Sequence, residues 1–248
     1  MTAHRVRPDP SATMAQFYDL MNRSSSQSRM HRLLDAVAPT PTVGVLELAA
    51  GTGAMTQVLA HRCPELDIWA VEPSPAMRTA LFTTVASDDQ MRARVCVLPI
   101  PAQQVELDGV ADLGLCLSAL HVFSPRARRD AWRRVARALV PGGILLVDRP
   151  SERSPTFEEC ELLSTSIAGG SVVLTYATEP EGTHRQRWMF RYRQLDHEGT
   201  VLQQSINRTV SWRVSRRQLR GELARAGLLV EDELVLDENH AVYVVRRA

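Results

Sequence analysis

The sequence of 248 residues contains no lysine, since every one of its 29 basic residues is an arginine. Its 28 acidic residues balance them, and the formal net charge is +1. The chain therefore has no global field that would steer it onto a polyanion, and we expect no nucleic-acid partner. We attribute the arginine bias to a GC-rich genome.

Cysteines are few and scattered. Cys63, Cys96, Cys116 and Cys160 form no Cys-x-x-Cys pair and have no histidine at ligand spacing. This arrangement disfavours both a disulfide framework and a zinc site, so we expect no bound metal.

Long apolar runs are also missing. The N-terminus lacks the apolar core of a signal peptide, and no later run approaches the roughly 20 apolar residues of a membrane span. We therefore expect a cytoplasmic protein with no membrane partner. Hydrophobic residues make up 44% and charged residues 23% of the chain, which is ordinary globular usage. The length favours one α/β domain with insertions.

Two helices are predicted before the core. Residues 14–21 form a short amphipathic pattern, and the polar, serine-rich residues 22–28 separate it from a second helix over 29–38 that ends before Pro39. We assign residues 1–42 to this N-terminal segment.

From residue 43 onward, apolar runs alternate with helical segments. Strands are predicted at 43–48, 66–71, 94–98, 111–117 and 143–147, and helices at 55–62, 75–86 and 126–139. This rhythm, with its continuous apolar runs, predicts a doubly wound, mostly parallel α/β sheet of the Rossmann-like kind, buried on both faces. We assign residues 43–150 to this core.

The pattern changes after Pro150. We predict a helix near 155–167, an antiparallel hairpin from 185–195 and 200–214, a helix over 216–226 and closing strands at 228–236 and 241–246. The closing strands bring the main sheet to seven strands, and the hairpin is inserted after the fifth. The arginine-rich residues 185–193 alternate with apolar ones, which is typical of a sheet with one solvated face. Residues 151–248 are thus part of the same domain.

The strongest local pattern is VLELAAGTG, Val45–Gly53, where a buried strand turns into a helix. Small residues there let the backbone approach a ligand closely. Dinucleotide enzymes use a related turn, and small residues also ease helix packing, so the turn alone does not decide the function. Glu72 ends the second strand about 20 residues later, where a carboxylate can accept hydrogen bonds from both hydroxyls of a ribose.

With these residues the chain resembles the class I methyltransferases that use S-adenosylmethionine (SAM). Their hallmark is an acidic strand ending in a Gly-x-Gly turn and a second acid after the next strand. The resemblance runs from residue 43 to about 150 and rests on five stretches in the right order: VLELAAGTGAMT, IWAVEPSPAMRTAL, VLPIPAQQ, ADLGLCLSALHVF and ALVPGGILLVDRP.

The resemblance implies that SAM is the cofactor and that a small molecule is methylated, in natural-product or sugar metabolism. Glu47 would orient the turn and reach the methionine end of SAM, and Glu72 would hold the ribose. The N-terminal helices would act as a lid, and residues 151–248 would help to cover the substrate. The cofactor-binding residues that it implies are Tyr18, Glu47, Ala49, Gly51, Gly53, Glu72, Pro73, Met77, Ala102, Gln103, Leu117 and Ser118.

The sequence departs from the family pattern at two positions. Ala49 stands where the turn usually has its first glycine, and Pro101 replaces the acid that commonly binds the adenine amine. Adenine recognition then depends on the Ala102 backbone N–H and the Gln103 amide. Tyr18 also has a simpler interpretation, as a core contact of an amphipathic helix, and Met77 as a core helix residue.

His121 follows the fourth strand at the edge where doubly wound sheets bind ligands, so it is a candidate general base. A histidine at a strand end also often bonds only a neighbouring backbone group. Two other functions stay open: a protein that binds SAM without methyl transfer, or one that catalyses a different SAM-assisted reaction. The acceptor atom (O, N or C) is not determined by the sequence, and a homodimer is compatible with it.

Overall fold

The computed structural model describes residues 9, 11–37, 40–150, 158–167, 169–237 and 240–248. Within these ranges, no helix combines the length and the apolar character that crossing a membrane requires. Helices and strands alternate from residue 45 to residue 148, as the sequence predicts.

The main sheet is built from seven strands, β1 Val45–Leu48, β2 Ile68–Val71, β3 Val95–Leu98, β4 Ala111–Cys116, β5 Leu139–Asp148, β10 Leu228–Val235 and β11 Ala241–Arg247. Their order is β10-β11-β5-β4-β1-β2-β3. The first five strands pair in parallel, and β11 runs antiparallel to both β5 and β10. The predicted doubly wound, seven-stranded sheet is confirmed.

Helices cover both faces of this sheet. They are α1 Ala12–Ala15, α2 Tyr18–Ala36, α3 Ala54–Arg62, α4 Pro75–Ala86, α5 Asp89–Arg94, α6 Pro125–Ala138 and α7 Arg216–Arg225. Two buried apolar layers result, one on each face. On one face, Arg128 of α6 forms a fully buried ion pair with Glu222 of α7, at 2.6 Å.

The second sheet is larger than predicted. Its strands β6 Cys160–Ile167, β7 Gly170–Glu181, β8 Arg185–Asp196 and β9 Val201–Trp212 form an antiparallel meander. The predicted hairpin is β8 and β9. The helix predicted near 155–167 is wrong over Cys160–Ile167, while 155–157 lie outside the described residues. The polar β6 segment is a strand because it pairs along β7, a segment to which the sequence pattern assigns no element.

The break predicted at residues 22–28 is also wrong, because α2 runs through it without interruption. Arg23 donates hydrogen bonds to Asp19 within α2 and to Gln57 of α3 at 3.0 Å, and Gln27 donates to the same Gln57 at 2.9 Å. Contacts with α3 thus outweigh the weak helix propensity of the serines. The predicted end of this helix at 38 lies outside the described residues.

Candidate active site

The turn after β1 has an unusual backbone. Ala49, Gly51 and Gly53 all have positive φ angles, of 56°, 60° and 88°. A side chain in this left-handed region costs about 1–2 kcal/mol, so Ala49 keeps a conformation that glycine would adopt freely. The turn leads directly into α3, whose first N–H groups have no helical partner. The departure from the glycine pattern therefore leaves the shape of the turn unchanged.

The two glycines of this turn differ in what surrounds them. A Cβ added to Gly51 would meet nothing closer than 3.9 Å, where the Tyr18 ring lies. A Cβ on Gly53 would lie 2.7 Å from Leu81 of α4. Gly51 therefore faces open space beneath Tyr18, while Gly53 lets α3 and α4 pack closely. The sequence suggested one role for both residues.

Glu72 reaches the turn from the end of β2. Its carboxylate accepts hydrogen bonds from the N–H of Gly51, at 2.9 Å, and from the N–H of Ser74, at 2.7 Å. The side chain is buried, and desolvation raises its pKa although both N–H groups act in the opposite direction. A carboxylate has about four acceptor positions, so Glu72 can accept further hydrogen bonds.

Glu47 lies on β1 below the turn and is almost fully buried. One carboxylate oxygen accepts a hydrogen bond from the Thr56 hydroxyl at 2.6 Å. Desolvation raises the pKa of Glu47 to about 8, and the negative charge of Glu72 acts in the same direction. Glu47 is therefore mostly protonated at neutral pH.

Helix α2 covers this region from above. Asp19 accepts a hydrogen bond from the hydroxyl of Thr52, a residue of the turn, so the start of α2 is attached to it directly. Desolvation raises the pKa of the Tyr18 phenol, and Glu72 contributes to the rise. Five residues that the sequence singled out line one cavity beneath α2: Tyr18, Glu47, Ala49, Leu117 and Ser118.

The residues expected near adenine lie farther along the same edge and do not line that cavity. Pro73 is exposed, Met77 is buried within α4, and Ala102 and Gln103 form a short 3-10 helix after β3. Asp9 of the N-terminal segment bonds the Ser74 hydroxyl at 2.7 Å and the Ala76 N–H at 3.0 Å. No pattern in the sequence indicated this contact.

The end of β4 forms the other side of the cavity, and the end of β5 lies beside it. Ser118, with a φ of 57°, donates its N–H to the Asp148 carboxylate, and Arg29 of α2 donates to the Ser118 hydroxyl at 3.1 Å. Burial raises the pKa of Asp148 to about 6. The sequence reasoning missed Asp148, although the rule that found Glu72, an acid ending a buried strand, applies equally to it.

His121 lies in a short 3-10 helix, Leu120–Val122, beyond the end of β4. His121 is an exposed residue, although the neighbouring chain desolvates the imidazole and lowers its pKa. A lowered pKa keeps His121 neutral at pH 7, the form that can accept a proton. His121 does not line the cavity under α2. Among the described residues, no cluster of side chains could hold a metal ion.

Comparison with known proteins identifies the core. Residues 45–143 match a family model described as a methyltransferase domain. These residues are therefore similar to a methyltransferase domain. The match covers the β1 turn, Glu72 and the β4 end, so the resemblance drawn from the sequence is confirmed over this segment. No curated protein matches the chain.

Solved structures show that the fold extends beyond the methyltransferase domain. An amino pentose methyltransferase from Micromonospora echinaspora is 17% identical, with a TM-score of 0.71 and 98% of each chain covered. The CcbJ methyltransferase from Streptomyces caelestis is 16% identical, with a TM-score of 0.77 and coverage of 97% of this chain and 98% of that one. A sugar N-methyltransferase from a Streptoalloteichus species is 22% identical, with a TM-score of 0.71 and 93% of each chain covered. At these identities the likeness establishes the fold, including the second sheet.

Proposed function

We propose that the chain is a SAM-dependent methyltransferase acting on a small molecule in natural-product or sugar metabolism. The methyltransferase domain at residues 45–143 supports the reaction class. Structural neighbours described as acting on an amino pentose and on a sugar support the acceptor class. The balanced charge of the chain favours a small acceptor over nucleic acid.

One observation carries the cofactor assignment. The left-handed turn presents Gly51, whose missing side chain leaves space under Tyr18, and the same glycine is bonded to the Glu72 carboxylate. A backbone open to close approach beside an acid with spare acceptor positions suits a nucleoside whose ribose bonds the acid. SAM would supply an activated methyl group on a sulfonium.

The chain's own residues divide the task of holding SAM. Glu72 accepts hydrogen bonds from the ribose, Glu47 and the N–H groups of the turn face the methionine end, and Tyr18 covers both. Pro73, Met77, Ala102 and Gln103 flank the adenine. Ala49, Leu117 and Ser118 form the walls. Gly51 leaves space under Tyr18, and Gly53 contributes through helix packing. No acid is available for the adenine amine at Pro101, so recognition of the base falls to the backbone N–H of Ala102, which donates to a ring nitrogen, and to the side-chain amide of Gln103.

The three segments have separate roles in this proposal. Residues 43–150 hold the cofactor, residues 1–42 form a lid, and residues 151–248 cover the acceptor. Phe17, at the start of α2, stacks on Tyr192 of β8 with ring centroids 4.9 Å apart. The lid and the second sheet therefore meet directly above the site, where they can exclude water.

His121 is the proposed general base for an acceptor that must lose a proton. It follows β4, which lies on the other side of β1 from β2 and Glu72, and its lowered pKa keeps it neutral near pH 7. The proposal also includes a cytoplasmic location and leaves room for a homodimer, which light scattering of the purified chain would detect.

Mass spectrometry of the purified protein tests the cofactor, because SAM or S-adenosylhomocysteine should be retained. Release of S-adenosylhomocysteine with a panel of small acceptors then tests turnover. Bound SAM without release for any acceptor would favour a SAM-binding protein with no methyltransferase activity. Absence of both ligands from the protein, together with no measurable SAM binding, would contradict the proposal.

A further inference from the structure

The sheet order restricts where an acceptor can bind. The proposed ribose and adenine residues follow β2 and β3, whereas Leu117 and Ser118 follow β4, and the strand order reverses between β1 and β4. Ligands in doubly wound sheets lie across this crevice, beyond the carboxyl ends of the strands. With the adenosine on the β2 and β3 side, the acceptor must approach from the β4 and β5 side.

The charged groups at the ends of β4 and β5 are few. Arg149 forms an ion pair with Glu233 of β10, so its charge is already matched. Asp148 is half-buried and, among the described residues, forms no ion pair, since the group that bonds its carboxylate is the uncharged N–H of Ser118. Asp148 is thus a carboxylate with unused acceptor positions on the acceptor side of the crevice.

We propose that Asp148 binds the nitrogen of an amine acceptor and so selects amines over alcohols. This inference rests on the proposed methyltransferase function and deepens it. A carboxylate attracts a positively charged amine and accepts its N–H groups as charge-assisted hydrogen bonds. An alcohol gains only a neutral hydrogen bond, and an acceptor bearing an anionic group at this point is repelled.

The surroundings of Asp148 keep it charged at neutral pH. Burial raises its pKa to about 6, while the Ser118 N–H, Arg29 and His240 lower it. The Tyr18 phenol, whose own pKa is raised in part by the charge of Asp148, faces it from α2. The carboxylate is therefore ionised above pH 6 and loses its charge below, so amine binding should weaken as the pH falls through about 6.

The charge also suits the reaction. The bound amine first gives up the proton of its ammonium form to solvent. The neutral nitrogen then forms its new bond to the methyl carbon with its lone pair, and the S–C bonding pair stays on sulfur. The nitrogen becomes positively charged at that moment, and it later releases one proton to solvent. A fixed carboxylate beside it stabilises this developing charge more than the ground state of an uncharged amine.

A purely structural role for Asp148 predicts different behaviour. Ser118 has a left-handed backbone that the Asp148 hydrogen bond holds in place. Asp148→Asn keeps an oxygen for this N–H and removes the charge, whereas Asp148→Ala removes both. Asp67→Asn is a matched control, since this exposed aspartate precedes β2 at the opposite edge of the sheet.

The experiment measures binding without turnover. Calorimetry in saturating S-adenosylhomocysteine compares matched amine and hydroxyl probes, namely glucosamine with glucose and the uridine diphosphate esters of both. We expect the wild type and Asp67→Asn to prefer an amine. Asp148→Asn should lose about 10- to 100-fold in amine affinity, the scale of a hydrogen bond to a charged group, with hydroxyl affinity within about threefold. The wild-type amine affinity should also fall below pH 6, and that of Asp148→Asn should not.

Three outcomes overturn the proposal. The first is that the wild type prefers no amine in the panel. The second is that Asp148→Asn keeps the amine affinity of the wild type, and the third is that Asp148→Asn loses equal affinity for amine and hydroxyl probes. Titration with SAM alone separates these results from failure of the broader function. If SAM binds and Asp148→Asn behaves like the wild type, only the acceptor assignment fails.

Discussion

Replacing Glu47 by glutamine should make the protein without ligand more stable at neutral and alkaline pH. The folded state raises the pKa of Glu47 from 4.5 to about 8, so the folded chain keeps a proton that the unfolded chain has lost. Between these two pKa values, each rise of one pH unit lowers the free energy of unfolding by about 1.4 kcal/mol. The contribution of Glu47 to the free energy of unfolding is therefore fully present below pH 4.5 and is lost progressively as the pH rises towards 8.

Between pH 5 and pH 7.5 the loss due to Glu47 amounts to about 3 kcal/mol, which is a large fraction of the stability of a typical domain. The glutamine side chain cannot ionise, and its amide oxygen can still accept the Thr56 hydroxyl. Urea unfolding at pH 5 and pH 7.5 measures the free energy of unfolding at each pH. Between these values it should fall by about 3 kcal/mol more in the wild type than in Glu47→Gln. Glu65→Gln, at an exposed position, should follow the wild type.

The reasoning is refuted if the free energies of unfolding of Glu47→Gln and wild type change equally with pH. That result would mean that Glu47 is ionised in the folded protein and that its burial is compensated. SAM affinity provides a second readout, since glutamine cannot ionise beside the positively charged methionine end of SAM and should weaken binding even where stability rises. Such a trade-off is common at functional sites.

Three further substitutions test the site. Gly51→Ala should lower SAM affinity at least tenfold. Gly199→Ala introduces the same left-handed strain at a position with nothing within 4 Å, so it should show the same stability loss of about 1 kcal/mol and no loss of SAM affinity. Equal SAM affinity in both variants would refute the role of the turn. Glu72→Ala should weaken SAM by about 1.5–3 kcal/mol, the scale of hydrogen bonds to a charged group, and an unchanged dissociation constant would place the ribose elsewhere. His121→Ala should lower kcat about 10²–10⁴-fold with SAM affinity within about threefold, and a smaller loss in a folded variant would exclude the base role. Because His121 acts in its neutral form, wild-type kcat should fall as the pH drops through its lowered pKa.

The core was predictable from sequence because its signals are local. Parallel strands buried on both faces read as continuous apolar runs, and the Val45–Gly53 turn and Glu72 stand at fixed positions relative to them. Pro75–Ala86 even has the predicted bounds, since Ser74 caps the helix and Pro75 begins it. Such features need no knowledge of distant contacts.

The remaining features depend on partners far along the chain. The serine-rich part of α2 is helical because Arg23 and Gln27 bond Gln57, and β6 is a strand because β7 lies beside it. The separate roles of Gly51 and Gly53 likewise depend on Leu81, a residue of another helix. Periodicity in one segment carries no information about such neighbours, so tertiary contacts override it.

The most direct test of the central claim is a calorimetric titration of the purified chain with SAM, compared with the nicotinamide cofactor NAD⁺. The account predicts one SAM bound for each chain, no detectable heat from NAD⁺, and a dissociation constant for SAM that rises about 10- to 100-fold in Glu72→Ala. Binding of NAD⁺ in place of SAM, or SAM binding that Glu72→Ala and Gly51→Ala both leave unchanged, would contradict it.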